Sequence, residues 1–476
     1  MKKVFFIIPP EIHYIEPYAY IKVDKSNAIR PALGILYVAA QLRKTLGIEA
    51  RIIDSNTEGL SLSDLENVIA KEKPDVVGFS VLTFNLLNCT EVSKVIKKSN
   101  PDTVICYGGW HPTLYPTETL KFDFVDYIVI GEGEITFCEL VSALEEGKQN
   151  VLEEKLDGIK GIGYKNKRGQ IRINHARELV DNLDQIPFPA YDLIDAKKYS
   201  NILASTGNIV NIMTSRGCPQ KCIFCDIRKT RYRYRSPDNI IEEIRMWVDM
   251  GAKEFYIQDD NFTINRKRAI EFCRLLSDAN LNIKYKISSR VDYINDELIG
   301  WLKKSGCYRI HYGIESGSQR FLDYLEKGIT VDQIKNAFLL AKKHKINTFA
   351  YIMIGIPNEK REDIDMTYKL IKELKPEHLH CSICTPMPKT YLYQKLMEDG
   401  TIREDYWLSF AEEPDPCFKT PFASNCFSGK ELRSMQESIQ RQFYMNPKKM
   451  MKELFRTHSF KQLITKSKLA YRMFFG

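Results

Sequence analysis

Short apolar runs alternate with longer amphipathic stretches along most of the 476-residue chain. Over residues 1–145 the runs "KVFFIIPP", "EARIIDS", "DVVGFSVLT", "TVICYGG" and "DYIVIGEGE" predict strands. Among them, "RPALGILYVAAQLRKTLG" predicts an amphipathic helix ending at Gly47, and further helices are expected over 62–72, 90–98 and 136–146. Apolar strands separated by helices imply a parallel sheet covered on both faces, with ligands at the carboxyl ends of its strands. Residues 150–203 lose this rhythm. "GIGYKNKRGQIRI" predicts a hairpin turning at Lys167-Arg168-Gly169, and "LDQIPFPAYDLI" a proline-interrupted connector. From about 207 to 392 the alternation resumes with "NIVNIMTS", "EFYIQDD", "KYKISSR", "RIHYGIES", "INTFAYIMIGIP" and "HLHCSICTPMP", and with helices such as 238–250 and 332–345. Six such βα units predict a partial (β/α) barrel, in which polar residues at strand carboxyl ends are the catalytic candidates. The expected fold class is α/β: a doubly wound, Rossmann-like domain over 1–148, a linker with a hairpin over 149–205, a partial (β/α)6 TIM-like barrel over 206–394, and a helical C-terminal region with a basic tail over 395–476.

Composition narrows this picture without changing it. Hydrophobic residues make up 44% and charged residues 27%, as in globular proteins. No apolar run approaches the roughly 18 residues a membrane span needs. Lys2 and Lys3 before "VFFII" imitate a secretory leader, but the run stops at Pro9-Pro10 without a small-residue cleavage site and reads better as a strand. Twelve dispersed cysteines do not form a disulfide framework, so a reducing, cytoplasmic location is expected, with the cysteines as free thiols or ligands.

The net charge of +8 is concentrated in residues 447–476, where eight Lys/Arg face Glu453 alone. Met450, Met451, Leu454, Phe455, Ile464 and Leu469 lie among those cations, a pattern that suits either a helix packed on the barrel or an interfacial helix in peripheral membrane contact. "RKTRYRYRSP" (228–237) interleaves Arg and Tyr as a nucleic-acid contact would. It lies between a cysteine-rich loop and a predicted helix, however, and nucleic acid is not an expected partner.

The densest chemistry is "SRGCPQKCIFCDI", which places Cys218, Cys222 and Cys225 within eight residues after the first barrel strand. A structural zinc site wants four ligands, and no histidine lies within 30 residues on either side. Inert buried thiols are the plain alternative. An iron–sulfur cluster held by three thiolates, with one iron left open to substrate or cofactor, fits best. Cys381-x-x-Cys384 falls inside a predicted strand, which would turn its two thiols to opposite faces.

Cys218-x3-Cys222-x2-Cys225, with Phe224 before the last cysteine, resembles the radical S-adenosylmethionine (SAM) signature. The resemblance implies a 4Fe–4S cluster on the three cysteines, SAM on its unique iron, and a 5'-deoxyadenosyl radical on one-electron reduction. It also implies SAM contacts from Phe224, from Asp260 with its neighbour Asp259 in "QDDNFT", from Arg290 in "SSR", from Glu315 in "GIESGS" and from Gly355 with Ile356 in "IGIPNE". "TPMPKT" resembles the family's Pro-x-Pro-Gly-Thr turn, with Lys389 in the glycine position.

The N-terminal domain, through "RPALGILYVAAQL", "VVGFSVLT", "YGGWHPTLYP" and "VDYIVIGEGEITFCEL", resembles that of the cobalamin-dependent radical SAM class. That implies cobalamin as a third cofactor, with Ser80, Thr83, Gly108 and Gly109 lining the pocket for its tail. The Asp-x-His-x-x-Gly motif is absent, since His13 in "EIHYIEP" lacks both flanking residues, so either no histidine sits on cobalt, which is the expectation here, or the domain has lost cobalamin. The other singled-out histidines, His111, His311 and His344, read as structural. "GEGEIT" does not have the spacing of a nucleotide-binding motif.

The resemblance implies a methyltransferase acting on an unactivated carbon, with oxidative cyclisation or rearrangement on the same cofactors as the alternative. A non-catalytic electron carrier would not need two cofactor domains, and a transfer-RNA methylthiolating enzyme would carry three further clustered cysteines. The expected partners are a small-molecule substrate, lipid-like or tetrapyrrole, and an electron donor such as flavodoxin or ferredoxin.

Overall fold

The computed structural model describes residues 2–13, 15, 31–146, 149–195, 198–199 and 209–445. The basic tail over 447–476 lies outside them. In the N-terminal part, β1 (Val4–Ile8), β2 (Arg51–Asp54), β3 (Val76–Ser80), β4 (Val104–Gly108) and β5 (Tyr127–Val129) pair in parallel in the order β2-β1-β3-β4-β5. The predicted hairpin forms as β6 (Ile162–Lys165) and β7 (Ile171–Ile173), which extend this sheet antiparallel from β5. Side chains alternate between two cores: Val4, Phe6, Val76 and Cys106 enter one, Phe5, Ile7, Val77 and Ile105 the other. Helices cover both faces, which is why these strands lack polar alternation.

Local chemistry sets the helix ends. The helix Leu33–Leu46 stops where Gly47 turns left-handed (φ 67°) and donates its N–H to the Arg43 carbonyl at 3.0 Å. Ser61 and Asp64 form a capping box at the start of Leu62–Glu72. Two helices are longer than the pattern predicts: Leu86–Ser99, and Gly133–Glu146, which takes up part of the "GEGE" stretch expected in a strand. Gly131, at φ 79°, ends β5 early and lets the helix begin there.

In the second part, β8 (Val210–Ile212) leads into an antiparallel ribbon, β9 (Ser215–Arg216) with β10 (Arg233–Tyr234). Then come β11 (Glu254–Ile257), β12 (Lys284–Ser289), β13 (Cys307–Glu315), β14 (Asn347–Ile354) and β15 (His378–Ile383). β8 and β11 to β15 form one parallel sheet in chain order. β8 and β15 are its two edges, so the barrel is an open arc, as the six units predict.

The β15 edge is covered by the helix Gly429–Tyr444. Gln436 and Gln440 donate to the Cys381 carbonyl, while Tyr444 Oη accepts from the Leu379 N–H and donates to its carbonyl. Side chains thereby satisfy backbone groups that would otherwise invite a foreign strand.

The connector is tied to both parts. Ala190 donates its N–H to Leu36 on the first helix at 3.1 Å, and the Tyr191 ring stands edge-on to Trp247 of the helix Pro237–Asp249 at 4.3 Å. The carboxyl-end loops of the two sheets consequently meet. Phe84, after β3, packs on Trp407, and Tyr115, after β4, shares a buried cluster with Ile223, Ile356 and Cys384. No helix among the described residues is long and apolar enough to cross a membrane.

Candidate active site at the three-cysteine loop

Cys218, Cys222 and Cys225 lie on the loop that joins β9 to β10. Its neck is narrow: Gly217 is left-handed (φ 84°), and a Cβ there would collide with the Arg231 carbonyl. Thr230 Oγ1 accepts from the Cys218 N–H at 2.8 Å and donates to the Ile227 carbonyl at 2.8 Å. At the centre, Ile223 donates to the Leu325 carbonyl and accepts from the Leu392 N–H, which pins the loop between segments following β13 and β15. Backbone bonds and a buried isoleucine thus fix the cysteines before anything is bound.

Burial raises the Cys225 thiol to about 12 and lifts Cys218 above its ordinary value, and the neighbouring thiols add to both. Such thiols become thiolates only against positive charge, which iron supplies. The protein adds two cations beside them. Arg290 places Nη1 3.7 Å from Cys222 Sγ while Asp292 holds its Nε and Nη2 at 3.0 and 2.9 Å. Lys327, almost fully buried, forms an ion pair with Glu315 at 2.8 Å and lies 5.7 Å from the Phe224 ring. The residues present fit an anionic iron–sulfur cluster.

The other predicted SAM contacts surround this loop. Asp259 is spent on structure: it accepts from the backbone N–H and the hydroxyl of both Thr214 and Ser215. Asp260 remains at the surface of the mouth, and partial loss of hydration together with the Asp259 and Asp226 charges raises it to about 6. Glu315 is left-handed (φ 64°) and meets Lys327 only because residue 313 is glycine; a Cβ there would lie 2.5 Å from Glu315 Oε1 and 2.9 Å from Lys327 Nζ.

Gly355, also left-handed, gives its N–H to Glu359 Oε2 at 2.6 Å, and its bare face is covered by Leu432 of the C-terminal helix. Packing therefore accounts for this glycine. Lys389 is left-handed as well (φ 56°), which is why the resembled turn favours glycine there, and its Nζ lies 5.0 Å from the Tyr115 ring. His344 bonds Asp296 and His311 bonds Tyr351, consistent with structural roles.

Glu359, the last residue of "IGIPNE", is given no role by the sequence pattern. Its Oε2 takes the Gly355 and Ile356 N–H groups, while Oε1 is buried without a hydrogen-bond partner. Burial raises this carboxyl to about 8. An acid whose folded pKa exceeds its unfolded value binds its proton more tightly when folded, so stability falls as pH rises between the two values. The thermal midpoint of the apo chain is expected to decline from about pH 5 to pH 8, as the unfolding free energy falls by at most about 1.4 kcal/mol per pH unit for one group. Glu359→Gln, which keeps an acceptor for the two N–H groups, is expected to flatten that decline. Parallel curves for the two proteins would show that Glu359 does not titrate there.

At the carboxyl end of the first sheet, Gly109 (φ 96°) lies against the Val81 backbone, and Val81 donates to the Gly108 carbonyl at 2.7 Å. The loops after β3 and β4 are thereby drawn together. Ser80 sits at their junction, its carbonyl accepting from Asn85. Thr83 Oγ1 lies 3.1 Å from His111 Nδ1, while His111 Nε2 is buried with no partner. Burial lowers His111 to about 3, so the ring is neutral. Tyr115 Oη is likewise buried and unpartnered. Orphaned polar atoms beside paired glycine loops fit a large polar cofactor tail. The sequence pattern marked Thr83 but read His111 as structural only. His13, with both backbone groups bonded to Asn88, belongs to the loop after β1.

The match to known proteins follows the same division. The Radical SAM superfamily is matched over residues 212–371 and the B12 binding domain over residues 21–141. An uncharacterized methyltransferase of Pyrococcus horikoshii is 33% identical over 463 residues, covering 96% of this chain and 96% of its own. The anaerobic magnesium-protoporphyrin IX monomethyl ester cyclase of Rubrivivax gelatinosus is 31% identical over 423 residues, covering 87% of this chain and 74% of its own. Among solved structures, the cobalamin-dependent SAM radical enzyme OxsB, with aqua-cobalamin and SAM bound, gives a TM-score of 0.72 at 19% identity, covering 99% of this chain and 70% of that chain. The last likeness concerns the fold.

Proposed function

The chain belongs to the cobalamin-dependent radical SAM family, an enzyme family using a 4Fe–4S cluster, SAM and cobalamin, and from that premise we propose that it methylates an unactivated carbon of a small molecule. The observation that carries this reading is the meeting of the carboxyl-end loops of the B12-binding sheet with the three-cysteine loop of the barrel. When bound, the cluster with SAM supplies a 5'-deoxyadenosyl radical and cobalamin supplies the methyl group.

The chain's own residues do the rest. Cys218, Cys222 and Cys225 hold the cluster, and Arg290, steered by Asp292, presents a fixed donor to the Cys222 sulfur. Asp260 offers its carboxylate to the SAM ammonium at the mouth. Lys327 donates to Glu315 Oε1 and orients it, with the Lys327 ammonium beside the Phe224 ring. Ser80, Thr83, Gly108 and Gly109 receive the cobalamin tail, with the His111 imidazole as a further neutral partner. Apolar contacts of Phe84, Tyr115, Trp407 and Phe418 exclude water from the junction.

The similarity to the cyclase supports a second reading, oxidative ring closure on the same cofactors. The substrate is of a lipid-like or tetrapyrrole kind, the electron comes from a flavodoxin or ferredoxin, and the protein works in the cytoplasm. What supports peripheral membrane contact is the charge of residues 447–476.

Cells overexpressing the protein and fed methionine labelled in its methyl group test the proposal. The expected result is an extracted small molecule that gains one intact labelled methyl. A product that instead loses hydrogen and gains no label would replace the first reading with the second. Purified, reduced, cluster-loaded protein that fails to cleave SAM would overturn both.

A further inference from the structure

Four charged side chains join the B12-binding part to the neck of the three-cysteine loop. β9 pairs with β10 so that Arg216 and Arg233 are register partners, the last paired residues before the loop leaves and after it returns. Arg216 reaches Glu132 at 3.0 Å with Nη1 and Glu134 at 2.6 Å with Nη2. Arg233 grips Glu132 bidentately, at 3.0 and 2.6 Å, and donates to the Val180 carbonyl at 2.8 Å. Glu132 and Glu134 come from the "GEGE" stretch after β5, whose spacing suits no nucleotide. The Tyr37 ring lies 5.3 Å from the Arg216 guanidinium. Side-chain exposure at the four charged residues is 6–21%, low enough for the pairs to escape most salt screening. Cys218 follows Arg216 by two residues.

We propose that Glu132 and Glu134, through Arg216 and Arg233, are positioning residues that fix the cluster loop relative to the cobalamin-binding sheet. The inference rests on the cofactor reading above. Apolar packing alone is non-directional and would let the two carboxyl ends slide, whereas bidentate guanidinium–carboxylate pairs fix both distance and orientation. Two cofactors bound on separate sheets need such a constraint, because displacing a reacting group by ~1 Å can cost on the order of 10²-fold in rate. Glu132 is the pivot, since both strands of the neck hold it at once. The exposed pair Lys121–Glu412, 2.9 Å apart, joins the helices Pro116–Lys121 and Tyr406–Glu412 without touching the neck residues and serves as the contrast.

The test uses the full chain loaded with cluster and cobalamin and reduced so that both are paramagnetic. Electron paramagnetic resonance then measures how strongly the cluster speeds relaxation of the cob(II)alamin signal, which depends steeply on their separation. Glu132→Gln is expected to keep wild-type iron and cobalamin contents but lose most of this enhancement, while Glu412→Gln keeps it. If Glu132→Gln does not fold, Arg216→Lys, which keeps the charge but loses the fork spanning both carboxylates, takes its place with the same expected loss. Unchanged enhancement, with only a lower melting temperature, would reduce the four residues to structural ion pairs and overturn the proposal. Wild-type protein that takes up no cobalamin, or shows no enhancement, would overturn the cofactor reading itself, an outcome visible without any variant.

Discussion

Cys222→Ala is expected to abolish cluster absorbance and reduce SAM cleavage to background, the largest effect of any single change in the chain. Cys222 is the buried member of the three, has Arg290 Nη1 3.7 Å from its sulfur, and sits beside the Ile223 anchor that holds the loop. Alanine removes a ligand without disturbing those backbone bonds, so the loop stays formed while the cluster loses one of its three protein contacts. Anaerobically reconstituted wild-type protein should carry about four irons per chain, as a cubane cluster requires. Cys381 and Cys384 are the controls. Both are fully buried, but they enter different apolar cores, and burial pushes both thiols far up. Alanine at either is expected to leave iron content unchanged. Retention of both absorbance and SAM cleavage by Cys222→Ala would overturn the assignment.

The second large effect concerns a residue that no motif marks. Burial works against the Lys327 ammonium, yet the charges of Glu315 and Cys222 hold it above its ordinary value. Lys327→Met leaves the Glu315 carboxylate, whose side chain is 12% exposed, without its counter-charge. Breaking one side of a buried pair costs about 3–5 kcal/mol, whereas replacing both partners with neutral groups of similar volume is often nearly neutral. The single variant is therefore expected to unfold at markedly lower temperature, and Glu315→Gln with Lys327→Met to recover most of the loss. Calorimetry of the apo proteins measures this, and equilibrium SAM binding to the reconstituted ones separates stability from function: the double variant should be stable yet bind SAM poorly. Wild-type affinity in the double variant would confine the pair to a structural role.

These two predictions mark where the chain could be read directly and where it could not. The three-cysteine loop could be singled out in the sequence because three thiols lie within eight residues and such a spacing is rare. The Glu315–Lys327 pair was half legible. Glu315 ends a recognisable strand, but its partner twelve residues on is brought back by a left-handed turn and by the missing side chain at Gly313. Gly355 was legible as a glycine with a purpose, but its purpose in the fold includes Leu432, 77 positions away on a helix covering the sheet edge. His111 looked structural because one nitrogen could be satisfied by any neighbour, and only the fold shows the other buried without a partner.

By itself the sequence determined the succession of the parallel strands, the parallel α/β class, the open six-unit barrel and the loop that carries the three thiols, but not the helices Trp110–Leu114 and Pro116–Lys121 or the β9–β10 ribbon. Each feature so determined follows from short-range physics: side-chain periods of 2 and 3.6, glycine at left-handed positions, capping residues, and cysteines within one loop. The tertiary structure alone decided which carboxylate meets which cation. Glu132 lies 84 residues before Arg216 and 101 before Arg233, and nothing in local periodicity pairs them. They meet because two independently patterned sheets turn their carboxyl ends toward each other, where water is excluded and unpaired charges would be costly.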